Sequence, residues 1–247
     1  METRNTTFTR HFPLEGVYNV RDLGGYPTLD GRTTRPGRFL RSDNIGKLSE
    51  AASKKLVDWG IKTIIDLRFD WETATFTHCF SSHECVKYLN VSLINKDVVP
   101  GLDKWTTQDK AYIAILEGGK VEFRQVMETL ADPQNLPALF HCHAGKDRTG
   151  LIAALLLSLA KVPAETIAED YAITRQYIAP LLEKWREEVI QAGRDLAKFN
   201  LDNACDPNTM FNTLKHLDQK YGGAEGYLRD TGMSQASLDR LKASLVE

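Results

Sequence analysis

The sequence is short of cysteine, of long apolar runs and of net charge, and each shortage excludes a class of protein. Four cysteines in 247 residues do not form a dense disulfide framework, which favours a reducing compartment. No stretch of 18 apolar residues occurs and the first ten residues are polar, so we expect a cytoplasmic protein without a membrane segment or signal region. A formal net charge of −2 gives no sign of general nucleic-acid binding.

One loop collects the reactive side chains. It follows residues 136–140, a compact apolar run typical of a buried strand, and precedes residues 151–160, which are apolar on all sides and predict a helix inside the core. The first turn of a helix leaves backbone N–H groups unpaired, and the peptide dipoles add partial positive charge there. The sequence therefore predicts an anion-binding loop between this strand and this helix.

Cys142 and Arg148 in this loop are suited to phosphate chemistry. A thiol beside cations and a helix N-terminus ionises readily, and a guanidinium matches two phosphoryl oxygens. Gly145 lets the backbone turn with positive φ close to the ligand, and Thr149 can donate its hydroxyl to the sulfur. These residues predict nucleophilic catalysis, in which the thiolate attacks phosphorus and water hydrolyses the phosphocysteine. This route requires neither a metal nor a cofactor.

Three other interpretations of the loop are weaker. A buried structural cysteine does not explain the polar residues that crowd the positions after Cys142. A metal site needs partners at Cys-x-x-Cys or His-x-x-x-His spacing, and the sequence contains neither. A nucleotide P-loop needs Ser or Thr after its lysine, but Asp147 follows Lys146.

The run from His141 to Thr149 resembles the signature of the protein tyrosine phosphatase superfamily. It is most similar to the bacterial branch of atypical tyrosine phosphatases that also accept serine/threonine phosphates and phosphoinositides. The resemblance implies an α/β fold with a central mixed sheet flanked by helices, and phosphorylated proteins or phosphoinositides as substrates. It also implies that Lys146 serves extra phosphates. The substrate-binding residues that it suggests within the loop are His143, Ala144, Gly145 and Lys146.

Two interpretations from other functional classes stay open. A catalytically inactive phosphate-binding module would keep the loop geometry, although such proteins usually lose the Cys or the Arg, and both are present here. A sulfurtransferase of the rhodanese type also uses a loop cysteine. An Arg at the end of the loop followed by Thr favours phosphate instead.

The general acid has several candidates. Asp147 lies inside the loop, where the resembled branch places an acid, and a carboxylate beside a phosphate dianion is driven towards its protonated form. It could instead be structural, paired with Lys146 or the backbone. Conventional family members carry the acid on a mobile loop, yet the sequence has no Trp-Pro-Asp triplet. The other candidates are Asp66, Asp97, Asp103 and Asp109.

A second motif follows the predicted strand 61–67. In an α/β sheet the ligand crevice lies at the carboxyl ends of the strands, so Asp66 and Arg68 could sit beside Cys142. They could equally form an ion pair that closes the strand end. This stretch resembles the Asp-Leu-Arg motif of the same phosphatase branch.

Basic residues near the start of the chain form a third group. Residues 19–26 resemble the N-terminal motif of the branch, and Arg21 either pairs with Asp22 to support the loop or faces substrate. Three further arginines alternate around Phe39 and Leu40. Most such charges are solvated, but one could hold an anionic headgroup. These arginines are Arg35, Arg38 and Arg41.

The remaining elements set the expected organisation. Ser49 and Gly60 should cap a helix, residues 88–93 should form a strand, and 108–117 and 120–131 should be helices. An apolar stripe then marks one helix, which either packs on the core or acts as a lid over the pocket. We expect a monomer with a flexible tail at 1–12, a catalytic domain at 13–205 with a helical insertion at about 163–200, and docked helices at 206–247. The stripe consists of Leu181, Leu182, Trp185, Val189 and Ile190.

Overall fold

A mixed β-sheet forms the centre of the computed structural model, which describes residues 9–75, 79–94 and 106–247. The strands are β1 (Arg21–Asp22), β2 (Phe39–Ser42), β3 (Thr63–Asp66), β4 (Lys87–Asn90) and β5 (Ala138–His141). Their order across the sheet is β1-β2-β5-β3-β4. The β1–β2 pair is antiparallel, and the other pairs are parallel.

Helices flank this sheet, which confirms the predicted α/β class. The first group is α1 (Glu50–Trp59), α2 (Asp70–Thr75), α3 (Gln108–Gly118), α4 (Lys120–Ala131), α5 (Asp147–Leu159) and α6 (Ala164–Ala172). The second is α7 (Thr174–Tyr177), α8 (Ala179–Gln191), α9 (Leu196–Asp202), α10 (Pro207–Tyr221), α11 (Ala224–Asp230) and α12 (Gln235–Leu245). None of the helices in these described stretches is both long enough and apolar enough to span a bilayer.

The core has two layers because neighbouring strand residues point to opposite faces of the sheet. Ile65 and Phe140 belong to one apolar cluster, while their neighbours Ile64 and Leu139 belong to the other. Helix α5 lies inside the larger cluster, where it contacts β2, β5, α6, α11 and α12. Its sequence, apolar on every side, suits this enclosed position.

Strand register brings the predicted site residues to one edge of the sheet. In the parallel pairs, His141 at the end of β5 lies opposite both Ser42 and Asp66. The segments after these residues therefore leave the sheet side by side. The loop after β5 emerges between them and leads directly into α5.

Local sequence signals predicted the ends of several helices and strands to within a few residues. Ser49 accepts a hydrogen bond from the Ala52 N–H at 3.1 Å, and Gly60 ends α1 with φ of +96°. Helix α4 has the predicted bounds, and α3 ends one residue later than predicted. Strands β3 and β4 are shorter than the apolar runs that predicted them, because pairing with their neighbours ends at Asp66 and Asn90.

The C-terminal helices and the predicted insertion differ in packing. Helix α10 packs on α3 and α6, and α12 packs on α4 and α5, so residues up to Val246 share the larger apolar cluster. Helix α6 also contributes buried residues to this cluster. The exposed part of the insertion therefore begins only at α7, about eleven residues after the predicted start.

The beginning of the chain is tied to the sheet where it is described. Residues 1–8 of the expected tail lie outside the described residues. The Asp22 N–H donates to the Arg10 carbonyl at 2.8 Å, and the Phe12 N–H donates to the Val20 carbonyl at 2.9 Å. Residues 10–12 thus differ from a loose tail, because they hydrogen-bond to β1 and the residue before it.

Candidate active site

Residues 142–146 form a tight loop between β5 and α5. Gly145 has φ of +67°, and a Cβ atom there would lie 2.5 Å from the Ser42 carbonyl oxygen and 2.7 Å from the Asp43 backbone nitrogen. Only glycine fits both the conformation and the space. The Asn44 N–H also donates to the His143 carbonyl at 3.0 Å, so the segment after β2 holds the loop.

Cys142 and Arg148 lie at the two ends of this loop. Cys142 is buried, with 1% of its surface exposed, and Arg148 is in the first turn of α5. Burial opposes the charge on Arg148, but the nearby Cys142 and the contacts with Glu72 outweigh it and raise the pKa of the guanidinium above its usual range. The loop thus carries the thiol at its start and the guanidinium at its end, and their binding of one shared phosphoryl group stays a prediction.

Glu72 orients Arg148 and was not predicted as a site residue. The Arg148 Nη1 atom lies 2.6 Å from Glu72 Oε2, and Nη2 lies 3.3 Å from Oε1. Burial would raise the pKa of Glu72, yet Arg148 lowers it below its ordinary value. The signal in the sequence was the position of Glu72 just after the Asp66-Leu67-Arg68 strand end, on the same edge of the sheet as the loop.

Asp147 faces a cavity of about 630 Å³ that Arg148 and Lys146 also line. Its Oδ1 atom accepts hydrogen bonds from Tyr112 Oη at 2.5 Å and Gln108 Nε2 at 3.0 Å. The Lys146 Nζ atom lies 3.1 Å from the same oxygen. The carboxylate is therefore both partly open to the cavity and held by neighbouring donors.

Lys146 is buried, and its side chain extends towards the end of α9. It donates a hydrogen bond to the backbone carbonyl of Asp202, the last residue of α9. Burial lowers the pKa of Lys146, but Asp147 and other nearby groups more than compensate and raise it above the usual value. The ammonium therefore stays charged while α9 and Asp147 bind it.

Asp66 and Arg68 form the ion pair that was one of the two predicted outcomes. The Arg68 Nη2 atom lies 2.7 Å from Asp66 Oδ2, and the Tyr88 hydroxyl donates to the same oxygen at 3.0 Å. Both side chains are buried, and the residues described around the 630 Å³ cavity include neither of them. His141, at the end of β5, has its Nε2 atom 3.7 Å from Asp66 Oδ2.

The other predicted loop residues have different surroundings. The imidazole of His143 stacks on Trp185 of α8, with 5.1 Å between ring centroids, and burial lowers its pKa. Ala144 is nearly buried and its carbonyl accepts a hydrogen bond from Asn19. Thr149 is buried, and its Oγ1 atom hydrogen-bonds to no residue that the structure describes.

The interpretations of Arg21 and of the later arginines need correction. Arg21 does not pair with Asp22 or face substrate; its Nε atom lies 2.9 Å from Asp170 on α6. Asp22 instead accepts the N–H groups of Gly24 and Gly37. Arg41 is fully buried rather than solvated, because α6 covers this part of the sheet and brings Asp170 to both arginines. Arg35 donates to the Val246 carbonyl, and Arg38 is partly buried.

Of the alternative acids, Asp97 and Asp103 lie outside the described residues. Asp109 lies in the first turn of α3 and lines the 630 Å³ cavity. It is partly buried, and Gln108 and Tyr112 of the same helix also line this cavity.

Comparisons with known proteins place the chain in a family. A tyrosine-protein phosphatase from Nostoc commune is 33% identical over 84% of this chain and 74% of its own length. The triple specificity protein phosphatase PtpB from Mycobacterium tuberculosis is 26% identical over 94% of this chain and 98% of its own. The solved structure of P. aeruginosa TpbA covers 82% of this chain and 99% of its own at 17% identity, with a TM-score of 0.35. Residues 12–247 match the model of the tyrosine phosphatase family, so the chain is an enzyme that belongs to this family.

Proposed function

We propose that the chain hydrolyses phosphate monoesters through a phosphocysteine formed on Cys142. The thiolate attacks phosphorus, an S–P bond forms, and the bond from phosphorus to the leaving oxygen breaks. Arg148 and the N-terminus of α5 bind the phosphoryl oxygens throughout. The observation that carries the proposal is one short loop with a buried thiol at its start and, at its end, a guanidinium that Glu72 holds in the first turn of α5.

Asp147 is the general acid in this proposal. It donates a proton to the leaving oxygen, and the resulting carboxylate takes a proton from the water that then breaks the S–P bond. Its position on the wall of the same cavity as Arg148 supports this role. Asp66 is a weaker choice, because its carboxylate is fully buried and is not among the described groups that line this cavity.

Thr149 completes the second step of the cycle. Its buried hydroxyl, which hydrogen-bonds to none of the described residues, is suited to donate to the sulfur as the S–P bond breaks. A leaving thiolate needs such a donor only once the phosphocysteine has formed. We therefore assign this hydroxyl to hydrolysis of the intermediate.

Lys146 broadens the substrate range to multiply phosphorylated compounds. A second cation beside the loop attracts a further phosphate, so phosphoserine, phosphothreonine and phosphoinositide substrates are proposed in addition to phosphotyrosine. In the structure this ammonium binds Asp147 and the Asp202 carbonyl, and an additional phosphate would compete with both.

Helices α8 and α9 act as a lid in this proposal. Trp185 of α8 stacks on His143, and the C-terminal end of α9 accepts the hydrogen bond of Lys146. These contacts are few, and most side chains of α8 are exposed. Opening would free Lys146 and widen the approach to the loop.

Turnover of para-nitrophenyl phosphate in the presence of EDTA tests the proposed activity. A phosphatase that needs no metal hydrolyses it, whereas an inactive phosphate-binding module and a sulfurtransferase do not. Initial rates on phosphotyrosine, phosphoserine and phosphoinositide substrates then test the range. If only phosphotyrosine is hydrolysed, the broad specificity is wrong although the mechanism can stand.

A further inference from the structure

A buried ionic cluster lies directly beneath the catalytic loop. Arg21 of β1 and Arg41 of β2 face each other in the antiparallel pair. Asp170 of α6 bridges them, with Oδ1 bound to Arg21 at 2.9 Å and Oδ2 bound to Arg41. All three side chains are at least 98% buried. Like charges opposite each other destabilise a sheet, so the carboxylate is needed between them.

This cluster hydrogen-bonds to the loop backbone. The Arg41 Nη2 atom donates to the Gly145 carbonyl at 2.8 Å. The Asn19 Nδ2 atom donates to the carbonyls of Ala144 and Gly145 at 3.1 and 3.2 Å. Arg21 in turn donates to the side-chain oxygen of Asn19, which orients the amide. Two successive loop carbonyls are thus held from below by the same network.

Holding a carbonyl also fixes the N–H of the same peptide group. A peptide group is planar and trans, so its C=O and N–H bonds point in opposite directions. The Ala144 carbonyl shares its peptide with the Gly145 N–H, and the Gly145 carbonyl shares its peptide with the Lys146 N–H. With both carbonyls drawn towards Asn19 and Arg41, these two N–H groups point the other way, out of the network.

The cluster also has a net positive charge, which favours an anion bound at the loop above it. Two guanidinium groups and one carboxylate leave one net positive charge in the buried cluster. Burial would raise the pKa of Asp170, but Arg21 and Arg41 lower it below the ordinary value, so the carboxylate stays ionised. Burial lowers the pKa of Arg41 to about 10, which still leaves it protonated at neutral pH.

We propose that Arg41 and Asn19 are positioning residues that hold the phosphate-binding N–H groups of the loop, with Arg21 and Asp170 orienting them. The inference rests on the proposed function, because it assumes that the loop binds the phosphoryl group. In this proposal Arg21 and Arg41 support the backbone of the loop and do not contact the substrate. Binding of inorganic phosphate alone should therefore depend on residues that phosphate does not touch.

The test is competitive inhibition by inorganic phosphate, with kcat and KM for para-nitrophenyl phosphate measured alongside. Arg41→Met should raise the phosphate Ki about tenfold or more, since a hydrogen bond from a charged group is lost. Arg41→Lys should recover part of this loss, because it keeps the charge and one donor. Asn19→Ala should raise the Ki about threefold or more.

Asn135→Ala is the matched control. Asn135 is also buried and donates from Nδ2 to a backbone carbonyl, that of Thr129 at 2.8 Å, but it lies before the opposite end of β5. Its loss should lower the melting temperature and leave the phosphate Ki unchanged.

Two outcomes separate the possible failures. If a folded Arg41→Met variant binds phosphate as tightly as wild type, the positioning role is wrong; if that variant does not fold, an unchanged Ki for Asn19→Ala overturns it equally. A wild-type protein that neither binds phosphate nor turns over the ester would instead refute the proposed function.

Discussion

Replacement of Glu72 by Gln should weaken both the fold and the catalysis, because Glu72 holds Arg148. The change keeps the shape of the side chain and removes its charge. In the structure the pair has two contacts of 2.6 and 3.3 Å, and the side chains are only 8% and 10% exposed. Water therefore screens this pair much less than a surface salt bridge.

The size of the stability loss depends on the hydrogen bond that Gln can still accept from Arg148. Removing one partner of a buried ion pair costs about 3–5 kcal/mol, but Gln retains one acceptor oxygen for Arg148. We expect a loss of about 2 kcal/mol in the free energy of unfolding, within the range of hydrogen bonds to charged groups. A guanidinium that is held less firmly also stabilises the transition state less. A loss of about 1.4–2.8 kcal/mol in transition-state stabilisation would lower kcat/KM by about 10- to 100-fold.

Urea unfolding and steady-state hydrolysis of para-nitrophenyl phosphate measure the two effects separately. Glu84→Gln is the control, because Glu84 is an exposed glutamate of the described chain and its loss should change neither quantity. A Glu72→Gln variant with wild-type stability and wild-type kcat/KM would refute the inference that this ion pair positions the guanidinium.

Three further predictions concern individual side chains. Asp147→Asn should lower kcat on a phosphoserine peptide about 10²- to 10⁴-fold, the usual contribution of a general acid, whereas Asp66→Asn should mainly lower the melting temperature; the reverse result would reassign the acid. Lys146→Met should lower the phosphoinositide rate about tenfold relative to the phosphotyrosine rate, with Lys54→Met as an exposed control, and equal losses on both substrates would contradict the proposed role. Burial raises the pKa of Asp43 from 3.8 to about 6. Between pH 3.8 and pH 6 the folded state therefore binds more protons than the unfolded state, so the contribution of Asp43 to stability falls as the pH rises through this range. Asp43→Asn should therefore gain about 2 kcal/mol relative to wild type between pH 4 and pH 7 in urea unfolding, and a constant difference would show that the pKa is not raised.

The candidate catalytic loop could be located from the sequence because its reactive residues are contiguous. Cys142, Gly145 and Arg148 lie within seven positions, and the apolar runs on either side predict the strand and the buried helix. The Asp66-Leu67-Arg68 motif could be located for a similar reason, since strand register brings β3 and β5 to the same edge.

The supports of the loop could not be predicted in this way. Arg21 and Asp170 are 149 positions apart, and their contact depends on how α6 packs against the edge of the sheet. A local pattern cannot reveal such a partner, and it offers only the adjacent Asp22 or a substrate. Glu72 lies close to its motif, but its contact with Arg148 spans 76 positions and needs the loop and the β3 end side by side.

Turnover by a Cys142→Ser variant tests the central claim most directly, with Cys85→Ser as the control for an exposed thiol. A serine hydroxyl at this position is a far weaker nucleophile than a thiolate, while the phosphate-binding loop around it is kept. We expect Cys142→Ser to lose hydrolysis of para-nitrophenyl phosphate and still bind phosphate esters, and Cys85→Ser to retain wild-type rates. Undiminished hydrolysis by Cys142→Ser would contradict the phosphocysteine mechanism.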